Sequence, residues 1–262
     1  AASIPLKHEV SPKLSRLVDW NVDVLKGLLK VIVAKRTAQQ QRKTIGVAGI
    51  KKAEQEILDK DGMVLDEVEE IVTLPKFDAR TQTSQLNPHA VQLSPVVVEQ
   101  LRQFVESIAC QYRDTPFHNF EHASHVSMSV VKLLSRIVTP DDLEEGEGES
   151  TLHDHTYGIT SDPLTQFACV FAALIHDVDH TGVPNSQLVK EQTHIASVYK
   201  DKSVAEQNSV DIAWDLLMDI KFGALRNVIY QNNSESRRFR QLVVNSVMAT
   251  QTHEKKSKEQ RN

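Results

Sequence analysis

The sequence predicts an all-α fold, a multi-helix bundle with an N-terminal helical extension. Three observations carry this. Only 9 glycines and 9 prolines punctuate 262 residues, too few breakers for a chain of short strands and tight turns. Apolar residues recur at spacings of three and four in most segments, the period of an amphipathic helix. One stretch, 165–178, is apolar nearly all round, and a helix of that composition belongs at the centre of a bundle.

Leu14 to Arg36 reads as the first helix. Val18, Val22, Leu25, Leu29 and Ile32 form a coiled-coil-like seam. It is barely two heptads long, so it permits a homodimer through this helix or a helix lying on its own domain. Residues 37–53 read as a polar linker. Short helices are expected over 51–58, ended by a Lys60-Asp61-Gly62 turn, and over 66–72, stopped by Pro75. Residues 81–93 read as a connector, which divides the chain into an N-terminal helical and linker region, 1–93, and a compact domain, 94–262.

Ser94-Pro95 is an N-cap followed by proline at the first helical position. Val98, Leu101, Phe104, Val105, Ile108 and Tyr112 give that helix its core face. Asp114-Thr115-Pro116 breaks it. The next helix is expected to carry His118 and His122, with a core face of Val126, Val130, Leu133, Leu134 and Ile137. The acidic stretch 141–150 reads as a solvated loop, since it lacks the Asp-x-Asp-x-Asp-Gly order of a calcium loop. His153-Asp154-His155 reads as a local polar network. The central helix follows, then amphipathic helices over 203–219 and 236–250, and a polar tail from Thr252.

Composition excludes several classes. A net charge of −5 with scattered basic residues argues against a nucleic-acid surface. Cys110 and Cys169 form no C-x-x-C pair, which suits packed thiols in a reducing compartment. Residues 1–6 run straight into Lys7, His8 and Glu9, unlike a signal peptide. The longest clean apolar run, Phe167 to Ile175, is about half of the ~20 residues a membrane span needs. The chain begins with Ala1, so it is expected to be a piece of a longer protein. Its address is expected to be cytoplasmic, or the cytosolic part of a larger membrane-anchored protein.

The chemistry concentrates between Phe117 and His180. Seven of the eleven histidines lie there, bounded by Phe117-His118-Asn119-Phe120-Glu121-His122 and His176-Asp177-Val178-Asp179-His180. Neutral imidazole and carboxylate are the ligands of zinc, iron and manganese, and carboxylate also holds magnesium. Three readings compete. In the first, His118-x-x-Glu121-His122 is a zinc-peptidase motif with Glu121 as general base and a later glutamate such as Glu191 completing the site. It leaves His176, Asp177, Asp179 and His180 without a role. In the second, His122, His176 and Asp177 bind metal and Asp177 bridges to a second ion, an arrangement suited to in-line phosphoryl displacement. His118, one helical turn from His122, protonates the leaving oxygen, and His180 supports the metal site. In the third, this is a helical interaction domain whose histidines are satisfied core and surface groups.

Phe117 to Ala123, then Ala173 to Asn185 with its Leu-Ile-His-Asp-Val-Asp-His-Thr-Gly-Val-Pro-Asn, and Tyr199 to Glu206 resemble the signature blocks of class I cyclic-nucleotide phosphodiesterases, HD-type metal phosphohydrolases. The resemblance covers about 96–250. It implies an all-helical domain of the HD/phosphodiesterase type with two divalent metal ions, zinc and magnesium (or manganese), which hydrolyses cyclic AMP or cyclic GMP to the 5′-monophosphate. By position it makes His118 the general acid, oriented by Glu206. His122, His176 and Asp177 become metal ligands, and His180 and Asn185 support the water network around the metals. The pattern departs from the family at Phe117, where tyrosine is usual, and at Gln207-Asn208-Ser209, where Asn-His-His is usual. It departs again at Gln251, where aspartate is usual. The family's last metal-ligand aspartate and its purine clamp lie beyond residue 262, so an inactive regulatory or interaction domain is the alternative expectation.

Overall fold

A computed structural model describes residues 12–43, 87–137, 152–153, 155–156 and 158–251. The helices expected over 51–58 and 66–72, the acidic loop 141–150, Asp154 and the tail from 252 lie outside the described residues. Among the described residues the longer elements are all helices: α1 (Pro12–Lys43), α2 (Pro95–Gln111), α3 (Phe120–Ile137), α4 (Pro163–Ile175), α5 (Asn185–Lys190), α6 (His194–Val198), α7 (Val204–Met218), α8 (Gly223–Ile229) and α9 (Asn233–Met248). The all-α expectation holds.

Local chemistry fixes the ends. The Ser94 hydroxyl accepts from Val97 N with Pro95 at the first helical position, as the sequence predicts. The Asp162 carboxylate caps α4 through Thr165 N, again ahead of a proline. Asn232 caps α9 through Glu235 N. Asn119 starts α3: its side chain accepts from His122 N at 3.0 Å. Helix α3 therefore begins after His118, which lies in the preceding turn and not one helical turn below His122.

Helix α4 is the hub, packed by α1, α3 and α9. Its Phe167 and Phe171 join Phe104, Phe222 and Phe239 in an aromatic core, with Phe104 and Phe171 stacked at 5.5 Å. The α1 seam belongs to this same core. Val18, Val22, Leu25, Leu29 and Ile32 are at most 3% exposed, so the side chains read as a homodimer seam are used inside the chain and are not available to a second copy. The shared core also runs across the boundary expected at residue 94.

The expected core face of α3 is corrected in part: Val130 and Leu134 are partly buried and pack against the core. Phe120, Ala123, Ser124 and Ser127 are its buried residues, whereas Leu133 is 58% and Ile137 40% exposed. Small side chains let α3 approach its neighbours closely, and Ser124 takes a hydrogen bond from Asn21 of α1 at 2.9 Å. Polar groups buried in this way must be paired, and this one is. Helices α5 and α6 close over a small second core of Leu188, Ala196, Tyr199 and Val204. Of the two, α5 lines the site's cleft, through Asn185, Ser186 and Val189.

Candidate metal centre

The apolar helix α4 ends at Ile175, and a turn after it presents His176, Asp177, Asp179 and His180. His176 and Asp177 are 8% and 9% exposed. A buried carboxylate is costly unless it is answered by donors or cations, and here the answering groups are imidazoles. His176 Nε2 lies 3.1 Å and His122 Nε2 3.6 Å from the same Asp177 oxygen. His122, His176 and Asp177 form one set of donor atoms within 4.8 Å of one another, and His118, Asp177 and His180 form a second. Asp177 belongs to both.

The donor chemistry fits a divalent cation. His176 Nδ1 lies 2.9 Å from the Ala173 carbonyl oxygen. A carbonyl only accepts, so in the neutral ring the proton sits on Nδ1 and Nε2 keeps the lone pair a metal needs. Burial holds His122 below the ordinary imidazole range, partly opposed by Asp177, and so favours its neutral, ligating form. Burial also disfavours charge on His176 and Asp177, but their mutual hydrogen bond and attraction win. The imidazole is raised and the carboxyl is lowered. A proton on His176 Nε2 and a metal ion would compete for one lone pair.

His180 differs. Gly182 N–H donates to its Nδ1 at 3.0 Å, so the neutral ring is protonated on Nε2 and acts as a donor rather than a ligand. Gly182 has φ +86, a conformation that suits glycine. The His180 ring stacks on His118 at 3.8 Å, while Phe117 packs on His122 at 4.3 Å. His118 and His122 are 6.4 Å apart between ring centres and fall into different donor sets. Glu121 points away from both and pairs with Lys13 at 2.6 Å, which leaves the peptidase reading without its base.

His118, His180, Asn185, Ser203, Glu206 and Gln251 all line a cleft of about 700 Å³, within the ~300–1,000 Å³ of small-molecule sites. Asn185, expected in the water network, holds Glu206. Its amide donates to Glu206 Oε2 at 2.7 Å and accepts from Ala205 N at 2.9 Å. Glu206 is thus held by Asn185 in the cleft that His118 also lines. Gln251 accepts a hydrogen bond from Ser203 Oγ at 2.8 Å, tying the end of α9 to the start of α7.

His153 and Ser161 share a side-chain hydrogen bond, in keeping with a local polar network. Cys110 and Cys169 are free thiols. Among the described residues no helix is long and apolar enough to cross a membrane.

Residues 117–261 match the family model described as 3′5′-cyclic nucleotide phosphodiesterase. The chain is similar to the probable 3′,5′-cyclic-AMP phosphodiesterase pde-4 of Caenorhabditis elegans, 32% identical over 140 residues that make up 53% of this chain and 18% of that protein. It is also similar to the human dual specificity calcium/calmodulin-dependent 3′,5′-cyclic nucleotide phosphodiesterase 1C, 31% identical over 157 residues, 59% of this chain and 19% of that one. Among solved structures, the phosphodiesterase domain of the RhoPDE fusion protein from the choanoflagellate Salpingoeca rosetta aligns with 59% of this chain and 44% of its own, at 25% identity and a TM-score of 0.47. The chain spans 18–19% of the length of the curated relatives named here.

Proposed function

This chain belongs to the 3′,5′-cyclic nucleotide phosphodiesterase family, and from that premise we propose that it hydrolyses 3′,5′-cyclic nucleotides to 5′-monophosphates with the residues around Asp177. The observation that carries the reading is the convergence of His122, His176 and the buried Asp177 in one donor set, with the His118 and His180 rings gathered within 4.8 Å of the same carboxylate. Carboxylate can bridge two cations, and imidazole cannot.

His122, His176 and Asp177 would hold one ion, for which two imidazoles and a carboxylate favour zinc. Asp177 would also offer an oxygen to a second, harder ion, magnesium or manganese. When bound, the pair stabilises both the attacking and the leaving oxygen of an in-line displacement. His118 is the general acid: as water adds to phosphorus and the bond to O3′ breaks, it gives its proton to O3′. Stacking against His180 fixes the plane of its ring. Glu206, held by Asn185, lines the same cleft as His118 and is the carboxylate assigned to orient it. His180 donates through Nε2 to the water network of the site. The two free thiols suit a reducing, cytoplasmic setting.

The test combines metal content with hydrolysis of cyclic AMP and cyclic GMP by wild type, His118→Ala and Asp177→Ala. Both variants are expected to lose hydrolysis and only Asp177→Ala to lose metal. A wild-type chain that binds metal and hydrolyses neither nucleotide would replace this reading with a metal-binding regulatory domain. Failure to bind metal would remove the site altogether.

A further inference from the structure

We infer that Asp179, with Arg113 and Asn208, is the positioning device that sets the metal turn against the other two site-bearing segments. The inference rests on the reading of Asp177 and His176 as metal ligands and extends it to a residue which that reading leaves unused.

The site is assembled from three pieces of chain. One is the α2–α3 connector with the start of α3, carrying His118 and His122; another is the turn 176–180; the third is α7, carrying Glu206. Asp179 touches all of them. Its Oδ1 accepts from Arg113 Nε at 2.7 Å, and its Oδ2 accepts from Asn208 Nδ2 at 3.2 Å. Its own backbone N–H donates to the Gln111 carbonyl at 3.1 Å. Arg113 opens the connector that leads to His118, and Asn208 lies two residues beyond Glu206. The neighbouring Val178 carbonyl is taken by Ser209 Oγ of α7 at 2.8 Å. Asn208 and Ser209 stand at two of the positions where this sequence departs from the resembled pattern, and both are spent on the turn.

Asp179 also has φ 60, a left-handed conformation that aspartate and asparagine tolerate and other side chains resist. The turn is therefore specified twice, once by backbone preference and once by the grip on the carboxylate. Asp177 and His180 lie two residues and one residue away, joined by the His180 N–H to Asp177 carbonyl bond at 3.1 Å. A shift of the turn re-aims both. The grip lies outside the donor sets, so it acts on coordination geometry without supplying a ligand.

The test is titration of the full chain with cobalt(II), whose visible absorption reports coordination geometry, for wild type, Asp179→Ala, Asp179→Asn, Arg113→Gln and the distant control Arg102→Ala. Asp179→Ala is expected to weaken cobalt binding about tenfold or more, as for other groups that orient a metal's ligands, and to alter the spectrum. Asp179→Asn, which keeps the backbone preference and one acceptor, is expected to recover part of the loss. Arg113→Gln, which cannot disturb the left-handed residue, is expected to alter the spectrum in the same sense, and Arg102→Ala to leave it unchanged. The inference is overturned if Asp179→Ala and Arg113→Gln bind cobalt with wild-type affinity and spectrum, or if Arg102→Ala matches their losses. A wild-type chain that takes up no cobalt overturns the underlying site reading as well.

Discussion

The two ends of α4 each carry a buried carboxylate, and the two are answered in different currencies. At the amino end, Asp162 receives Thr165 N at 3.0 Å and Thr165 Oγ1 at 2.7 Å, is gripped by the Arg238 guanidinium, and has Lys35 at 3.7 Å. Two permanent cations outweigh its burial and hold its carboxyl below the usual range. At the carboxyl end, Asp177 is met by imidazoles, groups whose charge is optional near neutral pH. The first arrangement is closed and joins α1, α4 and α9. The second has lone pairs to offer a cation. On the proposed function, permanent pairing belongs to the structural charge and titratable pairing to the chemical one.

Between the ends lies packing alone, and there the largest stability effect is expected. Phe171 is 1% exposed and touches Phe104, Phe167 and Phe239. Phe171→Ala should cost about 3–5 kcal/mol of unfolding free energy in denaturant titration, the usual range for such truncations, with little dependence on pH. A pH-dependent loss would show that the core and the charged ends are coupled.

Arg238→Met attacks the amino end and should cost about 3 kcal/mol, because it strips a buried carboxylate of its main partner. The sign with pH follows from the direction of the shift. Asp162 is depressed from 3.8 in the folded state, so its stabilising contribution is present above that value and is lost as pH falls through the lower folded value. The difference between wild type and Arg238→Met should therefore be greatest at neutral pH and shrink on acidification. A deficit that stays constant from pH 7 to pH 3 would mean that Arg238 acts through packing.

Asp177→Asn attacks the carboxyl end, and its cost should appear elsewhere. Divalent-metal affinity, read by calorimetry, should fall about 100-fold, or ~2.7 kcal/mol, while metal-free unfolding changes by about 1 kcal/mol or less. Equal losses in both measurements would erase the contrast between the two ends.

Much of this was legible in the sequence. The Ser94-Pro95 cap, the all-apolar α4 and the His-Asp doublet at its end are local features, and each survives folding because local preference and packing agree. The α3 face was read only in part: Val130 and Leu134 do pack against the core, but Leu133 and Ile137, which have the same period, are exposed, and the fully buried side is Phe120, Ala123, Ser124 and Ser127. Hydropathy ranks bulk above fit, and close helix contact selects smallness. The separation of His118 from His122 was hidden by Asn119, whose capping role starts α3 one residue after the cap. The Asn–x–x–His spacing before an apolar run was the available signal. The bonds of Asn185 to Glu206 and of Arg113 to Asp179 span 21 and 66 residues, and nothing in either local sequence announces its partner.

The smallest expected effect separates the site from its own motif. Glu121 sits between His118 and His122 in sequence, so the H-x-x-E-H pattern places it in a peptidase site. In space it lies on the outer side of α3, where Lys13 lowers its pKa. Both partners are largely exposed, at 61% and 40%, and ion pairs of that kind contribute little. Glu121→Gln should leave metal affinity, cyclic-nucleotide hydrolysis and the unfolding midpoint at wild-type values. A large loss of metal-dependent hydrolysis in Glu121→Gln would return that carboxylate to the chemistry. Asp177, with two donor sets around it, would then no longer be the centre of the site.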